Sequence, residues 1–184
     1  MRIIAGTARG TKLKMVPGKH VRPTADRVKE SLFQVIGPRF DGDNILDLFA
    51  GSGALALEAL SRGANQAILV DQSKSSIETI RVNVAATKMS NQVEIIRRDA
   101  RAAIHLLKKK GLQFDIIFLD PPYLENLLIP VIQSIVKEEL LKEEGLVVAE
   151  YPSREQLPEK FGALVETRRL DYGDTTISLY RIEK

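Results

Sequence analysis

The tetrapeptide Asp120-Pro121-Pro122-Tyr123 places a carboxylate, two rigid prolines and an aromatic ring directly after an apolar run over 114–119. The run has the length of a buried β-strand. Because proline has no amide hydrogen to donate to a β-ladder, the chain must leave the sheet at this point. Ligands of open parallel sheets bind at the carboxyl ends of the strands. The tetrapeptide is therefore predicted to lie at a functional site.

The same residues have the groups needed to activate an exocyclic amine of a nucleobase. Such an amine is a poor nucleophile because its lone pair is delocalised into the ring. Hydrogen bonds from its two N–H groups to the Asp120 carboxylate and the Pro121 carbonyl favour a pyramidal nitrogen, which frees the lone pair to attack a sulfonium methyl group. Stacking of the base on Tyr123 contributes about 1–3 kcal/mol. The competing interpretation is a turn that only ends a strand, with a tyrosine at the surface.

A glycine turn, Gly51-Ser52-Gly53-Ala54-Leu55-Ala56, fits the G-x-G-x-x-G/A pattern of cofactor-binding turns. Asp71 follows it at the distance expected of an acid that binds ribose hydroxyls, and Gln72 is grouped with it. The pattern indicates a cofactor that contains adenosine, but it does not choose between a nicotinamide dinucleotide and S-adenosylmethionine. The alternative is a glycine turn kept for tight packing.

Two further acids bear on that choice. Asp47, four residues before Gly51, could engage a cationic amino group, which favours a methionine moiety over a pyrophosphate. It could equally brace the glycine turn through backbone amides. Asp99 is placed to meet the amino group of an adenine, and a helix N-cap would look the same in sequence.

The hydrophobic periodicity predicts an α/β chain. Strand and helix patterns alternate from residue 44 onward, which is typical of a doubly wound, mostly parallel sheet, here with seven strands and an antiparallel C-terminal hairpin. A small N-terminal β-hairpin over 1–16 and a helix from Thr24 to Ile36 precede it. One domain is expected over 1–184, with 1–23 as a basic extension and 24–184 as a catalytic core. The predicted strands are 45–49, 67–71, 93–96, 114–119, 145–151, 163–170 and 175–182, and the later helices are 52–62, 73–88, 100–110 and 125–142.

Composition narrows the class of protein. The chain has 184 residues, is 44% hydrophobic and contains no cysteine, which excludes disulfides and thiolate chemistry. His20 and His105 lie far apart in the sequence, so no metal site is predicted. The start of the chain lacks the apolar core of a signal peptide, and no run is long enough to span a bilayer. A soluble cytoplasmic protein is expected.

The net charge of +3 is unevenly distributed. Residues 1–30 hold eight Lys and Arg against two acids, a local charge of +6 that leaves −3 for the remainder. A basic N-terminal end favours an anionic partner, and the alternative is a solvated arm with no partner. Little of the chain is left over for reading base edges in DNA, so a preformed RNA shape held through its phosphates is the expected partner. The candidate nucleic-acid-binding residues are Arg9, Lys12, Lys14 and Arg22.

The segment Asp47-Leu48-Phe49-Ala50-Gly51-Ser52-Gly53, together with Asp120-Pro121-Pro122-Tyr123, resembles the amino-group methyltransferases that depend on S-adenosylmethionine. Arg2-Ile3-Ile4-Ala5-Gly6, Arg22-Pro23-Thr24 and Tyr172-Gly173 are similar to one branch, the RsmD-type methyltransferases, which methylate guanine N2 in bacterial 16S ribosomal RNA. The resemblance covers essentially the whole chain. It implies a Rossmann-like methyltransferase fold and a target in ribosomal RNA or a small-subunit assembly particle.

The resemblance also implies roles for individual residues. Phe49, Gly51 and Gly53 would line the methionine side of the cofactor, while Asp71 would hold the ribose. Arg22 and Thr24 would be involved in an unassigned way, and Thr24 could serve only as a helix N-cap. The adenine would meet Asp99 and Ala100, and the target base would be gripped by Asp120, Pro121 and Tyr123.

The sequence leaves alternatives open. Guanine is favoured over adenine, in RNA or DNA, by the resemblance alone. A protein glutamine methyltransferase would use a similar motif, but usually with Asn in place of Asp120. A non-catalytic RNA-binding module would keep the fold without turnover, although the intact acids and glycines disfavour it. A monomer is expected.

Overall fold

Helices and strands alternate along the part of the chain that this computed structural model describes, which is 1–18, 25–122 and 126–184. The helices are α1 (Ala25–Ile36), α2 (Ala54–Ser61), α3 (Lys74–Thr87), α4 (Ala100–Lys109) and α5 (Leu128–Lys137). The strands are β1 (Asn44–Asp47), β2 (Gln66–Asp71), β3 (Val93–Arg97), β4 (Phe114–Leu119), β5 (Leu141–Pro152), β6 (Lys160–Phe161), β7 (Leu164–Tyr172) and β8 (Thr175–Ile182).

All of these strands join one sheet in the order β3-β2-β1-β4-β5-β8-β7-β6. The five strands from β3 to β5 are parallel, and β8 is antiparallel to both β5 and β7. The predicted doubly wound sheet with an antiparallel C-terminal hairpin is therefore confirmed. The sheet has eight strands within the described residues rather than seven, because the two-residue β6 pairs with the edge of β7. The strand order reverses between β1 and β4, and ligands bind at such a switch point.

The two faces of the sheet carry separate hydrophobic cores, because side chains alternate between faces along each strand. Ile45, Phe118 and Val148 face α1, α2 and α3. Leu46, Ile117 and Val147 face α4 and α5 instead. By the same alternation, Asp47 at the end of β1 points toward the face that carries α1.

The prediction of a helix over 125–142 is wrong at the C-terminal end. The observed α5 ends at Lys137, and Glu139 takes a left-handed backbone conformation with φ of 53° before β5 begins at Leu141. Leu140 and Leu141 extend the apolar periodicity of the helix in sequence. In the fold these two leucines are buried among residues of the sheet core.

The predicted N-terminal β-hairpin forms, but with little β-structure. It has one antiparallel bridge, between Arg2 and Lys12, and a few further backbone bonds such as Ile3 N–H to the Thr11 carbonyl at 2.9 Å. We call residues 1–18 the N-terminal arm. Its main attachment is to the helices of the body rather than to a strand partner.

The buried carboxylate of Glu58 in α2 fixes this arm. Its oxygens accept hydrogen bonds from the Ile4 and Ala5 amides at 2.9 and 3.1 Å. They also pair with Lys29 Nζ at 3.1 Å and Arg62 Nε at 2.9 Å. Burial lowers the pKa of Lys29, although the Glu58 charge opposes that shift. The backbone of the arm is therefore part of the folded body.

Among the described helices, none is both long and apolar enough to cross a membrane. The same residues contain no group of three or more His, Cys, Asp or Glu side chains arranged to hold a metal ion.

Candidate active site

A cleft of about 240 Å³ opens at the carboxyl edge of the sheet, where the strand order reverses. Its floor contains Asp47 at the end of β1, the glycine turn that follows, and Asp120 after β4. Side chains of the N-terminal arm, of α1 and of the β7–β8 turn form its walls, among them Met15, Lys29 and Tyr172. The fold thus brings together residues from both ends of the chain.

The glycine turn needs its two glycines for different reasons. Both have positive φ, 58° at Gly51 and 85° at Gly53, where an L side chain is strained. A Cβ atom at Gly53 would lie 3.1 Å from Leu69 Cδ2, whereas one at Gly51 would meet nothing within 4 Å. Gly53 therefore serves close packing of α2 on the sheet. Gly51 lines the cleft and leaves room for a ligand to approach the backbone.

Asp71 braces the glycine turn. One carboxylate oxygen accepts from the Gly51 amide at 2.9 Å, and the other accepts from the Ser73 amide at 2.9 Å. Each oxygen has a further lone pair available for a ribose hydroxyl. The neighbouring Gln72 is exposed, and its backbone carbonyl accepts a hydrogen bond from Arg97 Nε at 3.2 Å. Gln72 is not among the described residues that line the cleft.

Asp47 is a buried acid, with only 2% of its surface exposed. It accepts a hydrogen bond from the Phe49 amide at 3.1 Å, two residues before the glycine turn, whose Gly51 amide is bonded by Asp71 instead. Burial raises the pKa of Asp47 to about 8, and the charges of Asp120 and Asp71 push it the same way. A cation in the cleft would favour the ionised carboxylate instead. Phe49, half-buried, lines the same cleft.

Asp99 is the N-cap of α4. Its Oδ1 accepts from the Arg101 and Ala102 amides at 2.9 and 3.1 Å. Ala100, which follows it, is buried against the second core. The structure shows the cap, and contact of Asp99 and Ala100 with an adenine stays a prediction.

The Asp-Pro-Pro turn lies between two depressions in the surface. Asp120 lines the main cleft, while the buried Pro121 and the exposed Pro122 line a neighbouring groove of about 220 Å³. Glu150, at the carboxyl end of β5, lines both. Sequence reasoning missed Glu150, although its position directly after the buried run 145–149 matches that of Asp120 after β4. Tyr123, Arg22 and Thr24 lie outside the described residues.

The N-terminal arm has the predicted alternation. Arg9, Lys12 and Lys14 are exposed, and Leu13 between the two lysines is buried. The buried Asn83 of α3 holds this segment: its Oδ1 accepts from the Lys14 amide at 2.8 Å, and its Nδ2 donates to the Lys14 carbonyl at 2.9 Å. Nδ2 also donates to the Ser52 carbonyl at 2.8 Å. Asn83, which sequence reasoning missed, therefore joins the basic arm to the glycine turn.

Comparison with known proteins places the chain in a family. The family model described as "Conserved hypothetical protein 95" matches residues 1–181. "Putative rRNA methyltransferase YlbH" of Bacillus subtilis is 44% identical over 98% of both chains. "Ribosomal RNA small subunit methyltransferase D" of Haemophilus influenzae is 37% identical over 90% of this chain and 87% of its own. A solved structure, "Putative methyltransferase yhhF from Escherichia coli", superposes with a TM-score of 0.84 at 34% identity and covers 100% of this chain and 98% of its own. This chain belongs to the Conserved hypothetical protein 95 family, that of the RsmD-type methyltransferases.

Proposed function

We propose that this chain transfers a methyl group from S-adenosylmethionine to the exocyclic N2 amine of a guanine in small-subunit (16S) ribosomal RNA. The observation that carries the proposal is the position of Asp120. Its carboxylate lines the cleft at the switch point of the sheet, together with Asp47 and the glycine turn. The small-subunit ribosomal RNA in the names of 37% identical relatives supports the substrate class.

The residues of the cleft fit the cofactor. The open space at Gly51 allows a ligand to approach the turn, and Asp47 supplies a buried carboxylate for a cationic amino group. Phe49 and Gly51 would hold the methionine side, with Gly53 keeping the turn packed on the sheet, and Asp71 would hold the ribose hydroxyls. Asp99 and Ala100 would hold the adenine. When bound, S-adenosylmethionine supplies an electrophilic methyl group.

Asp120 and Pro121 prepare the target amine. The Asp120 carboxylate and the Pro121 carbonyl each accept one of its N–H groups, so that the nitrogen lone pair points away from them toward the cleft. Asp120 need not be a strong base, because the methylated nitrogen is very acidic and loses its proton readily. Tyr123 would offer a ring on which the extruded base stacks.

The basic N-terminal arm is the proposed contact with RNA. Arg9, Lys12 and Lys14 are exposed on a backbone that Glu58 and Asn83 fix to the body. Fixed cations lose less freedom on binding phosphates than those of a mobile tail. The arm also supplies a wall of the cleft, so RNA held there lies beside the proposed catalytic turn.

The test is transfer of a radiolabelled methyl group into small ribosomal subunits, and into their naked RNA, from a bacterial strain that lacks this protein. Mass spectrometry of the digested RNA should identify N2-methylguanosine. N6-methyladenosine as the product would contradict the guanine assignment. Cofactor binding by calorimetry without transfer to either substrate would support a non-catalytic RNA-binding module instead.

A further inference from the structure

Asp120 directly follows β4, and Glu150 lies near the carboxyl end of the neighbouring strand β5. In the parallel pairing of β4 with β5, Leu119 is the partner of Ala149, so Asp120 and Glu150 are the next residues along. Neighbouring strands lie about 4.8 Å apart, and residues in register on parallel strands point to the same face. That face is the one that carries Phe118 and Val148, toward the main cleft. The two carboxylates therefore extend side by side from the carboxyl edge.

The backbone of Glu150 is also firmly placed. β5 is an interior strand, and Glu150 pairs with Ile177 of β8 on its other side. Its side chain borders both the cleft that contains Asp120 and the groove that contains Pro121. A base whose amine lies between the Asp120 carboxylate and the Pro121 carbonyl would thus have Glu150 next to its ring.

The standard bases differ in the group that lies next to the exocyclic amine, which is where Glu150 would be. Guanine is the one standard base whose exocyclic amine adjoins a ring N–H, at N1. The amines of adenine and cytosine adjoin ring nitrogens that carry a lone pair. An ionised carboxylate can accept hydrogen bonds but cannot donate them. It therefore attracts the N1–H edge of guanine and repels the lone pairs of adenine and cytosine.

We propose that the Glu150 carboxylate accepts a hydrogen bond from N1–H of the target base and thereby selects guanine over adenine and cytosine. This proposal rests on the proposed function, because it requires an amine held by Asp120 and Pro121. Glu150 is a specificity-determining residue that touches the substrate. A site built to bond a substrate N–H rejects analogues that lack it, since the hydrogen bond is lost and the carboxylate faces the N1 lone pair instead.

The test uses an RNA with 2-aminopurine in place of the target guanine, whose position is mapped by mass spectrometry of nuclease fragments of the methylated RNA. 2-Aminopurine keeps the amine at C2 but has a lone pair at N1. Wild-type protein should favour guanine by at least about 100-fold in kcat/KM. Glu150→Gln should reduce this ratio at least about 10-fold, because the glutamine amide can donate to the N1 lone pair. Loss of the guanine O6 affects both proteins alike and leaves the change in the ratio intact.

The matched control is Glu143→Gln, the same substitution at an exposed position of the same strand, which should keep the wild-type ratio. If Glu150→Gln does not fold, Glu150→Ala should also narrow the ratio, because it removes the repulsion of the N1 lone pair. An unchanged ratio in the folded variant, or equal use of both RNAs by wild-type protein, overturns the proposal. A wild-type product other than N2-methylguanosine refutes the proposed function itself and is seen in the methyl-transfer experiment alone.

Discussion

At the scale of single residues, the cleft depends on carboxylates with different environments. The Asp71 carboxylate accepts hydrogen bonds from two backbone amides. The Asp47 carboxylate is buried and accepts a hydrogen bond from one. Asp120 lines the cleft together with Asp47 and adds to the electrostatic cost of ionising it. These environments suit Asp71 to bracing the glycine turn, Asp47 to binding a cation and Asp120 to holding an amine.

Asp120→Ala should abolish methyl transfer, because the target amine loses the acceptor that makes its nitrogen pyramidal. Affinity for the cofactor, measured by calorimetry, should stay within about three-fold, since Asp120 faces the amine. Asp41→Ala, an exposed acid before β1 at the opposite edge of the sheet, should retain transfer. Near-normal turnover of the Asp120 variant would contradict the mechanism.

The raised pKa of Asp47 predicts how stability changes with pH in the protein without cofactor. The folded state holds a proton on Asp47 up to about pH 8, whereas the unfolded chain releases it near pH 3.8. Between these values the folded state binds more protons, so the free energy of unfolding from this group falls as pH rises.

Wild type should therefore lose free energy of unfolding on the order of 5 kcal/mol between pH 4 and pH 9 through this group, and Asp47→Asn should remove that loss. Asparagine keeps an oxygen to accept from the Phe49 amide, so the comparison isolates the charge. Chemical denaturation at several pH values measures the difference. A parallel pH dependence of the two proteins would show that Asp47 is not buried as a neutral acid.

At the scale of elements, the side chain of Asn83 links the N-terminal arm to the glycine turn. Asn83 bonds both the Lys14 backbone and the Ser52 carbonyl, so the N-terminal arm and the glycine turn share an attachment to α3. The exposed cations of the arm are therefore held at a fixed position relative to the glycine turn.

Lys12→Ala combined with Lys14→Ala should weaken RNA binding and lower the slope of log K against log salt by about 1.5–2, since two phosphate contacts are lost. The charge-matched control is Lys108→Ala with Lys109→Ala, two exposed lysines of the last turn of α4. That control should leave the slope nearly unchanged. Equal slopes for wild type and the arm variant would exclude the arm from the RNA interface.

At the scale of the whole molecule, Glu58 unites the arm, α1 and α2. It carries the negative charge that offsets two buried cations, Lys29 and Arg62. Lys29 Nζ additionally donates to the Arg2 carbonyl at 2.7 Å, and Arg62 lies 5.0 Å from the centre of the Phe33 ring. The ion pairs and the arm are therefore expected to unfold with the body.

Glu58→Ala should destabilise the protein by about 3–5 kcal/mol, because it leaves two buried cations without their carboxylate and two amides of the arm unbonded. Denaturant titration measures the loss. Glu78→Ala, at an exposed position of α3, is the control and should change stability by less than about 0.5 kcal/mol. A small effect of the Glu58 substitution would mean that the arm and its ion pairs are not coupled to global unfolding.

The sequence alone predicted the order of the helices and of every described strand except β6, because burial periodicity and proline and glycine signals are local. The predicted β4 matches its observed bounds of Phe114–Leu119, and the proline pair ends it as expected. The predicted end of α5 was wrong because Leu140 and Leu141 continue the apolar periodicity of the helix. Tertiary packing instead places Leu140 in the turn and Leu141 at the start of β5. The two-residue β6 is too short to leave a pattern.

The Asp-Pro-Pro turn, the glycine turn and the family were determined by sequence, since each depends on residue types at short spacing. Only the tertiary structure decided which distant residues join them. Strand order and register place Glu150 beside Asp120, and packing of α3 on the arm brings Asn83 to Lys14. Burial, which no spacing encodes, raises the pKa of Asp47. These features depend on contacts between segments far apart in the chain, and such contacts exist only once the sheet has formed.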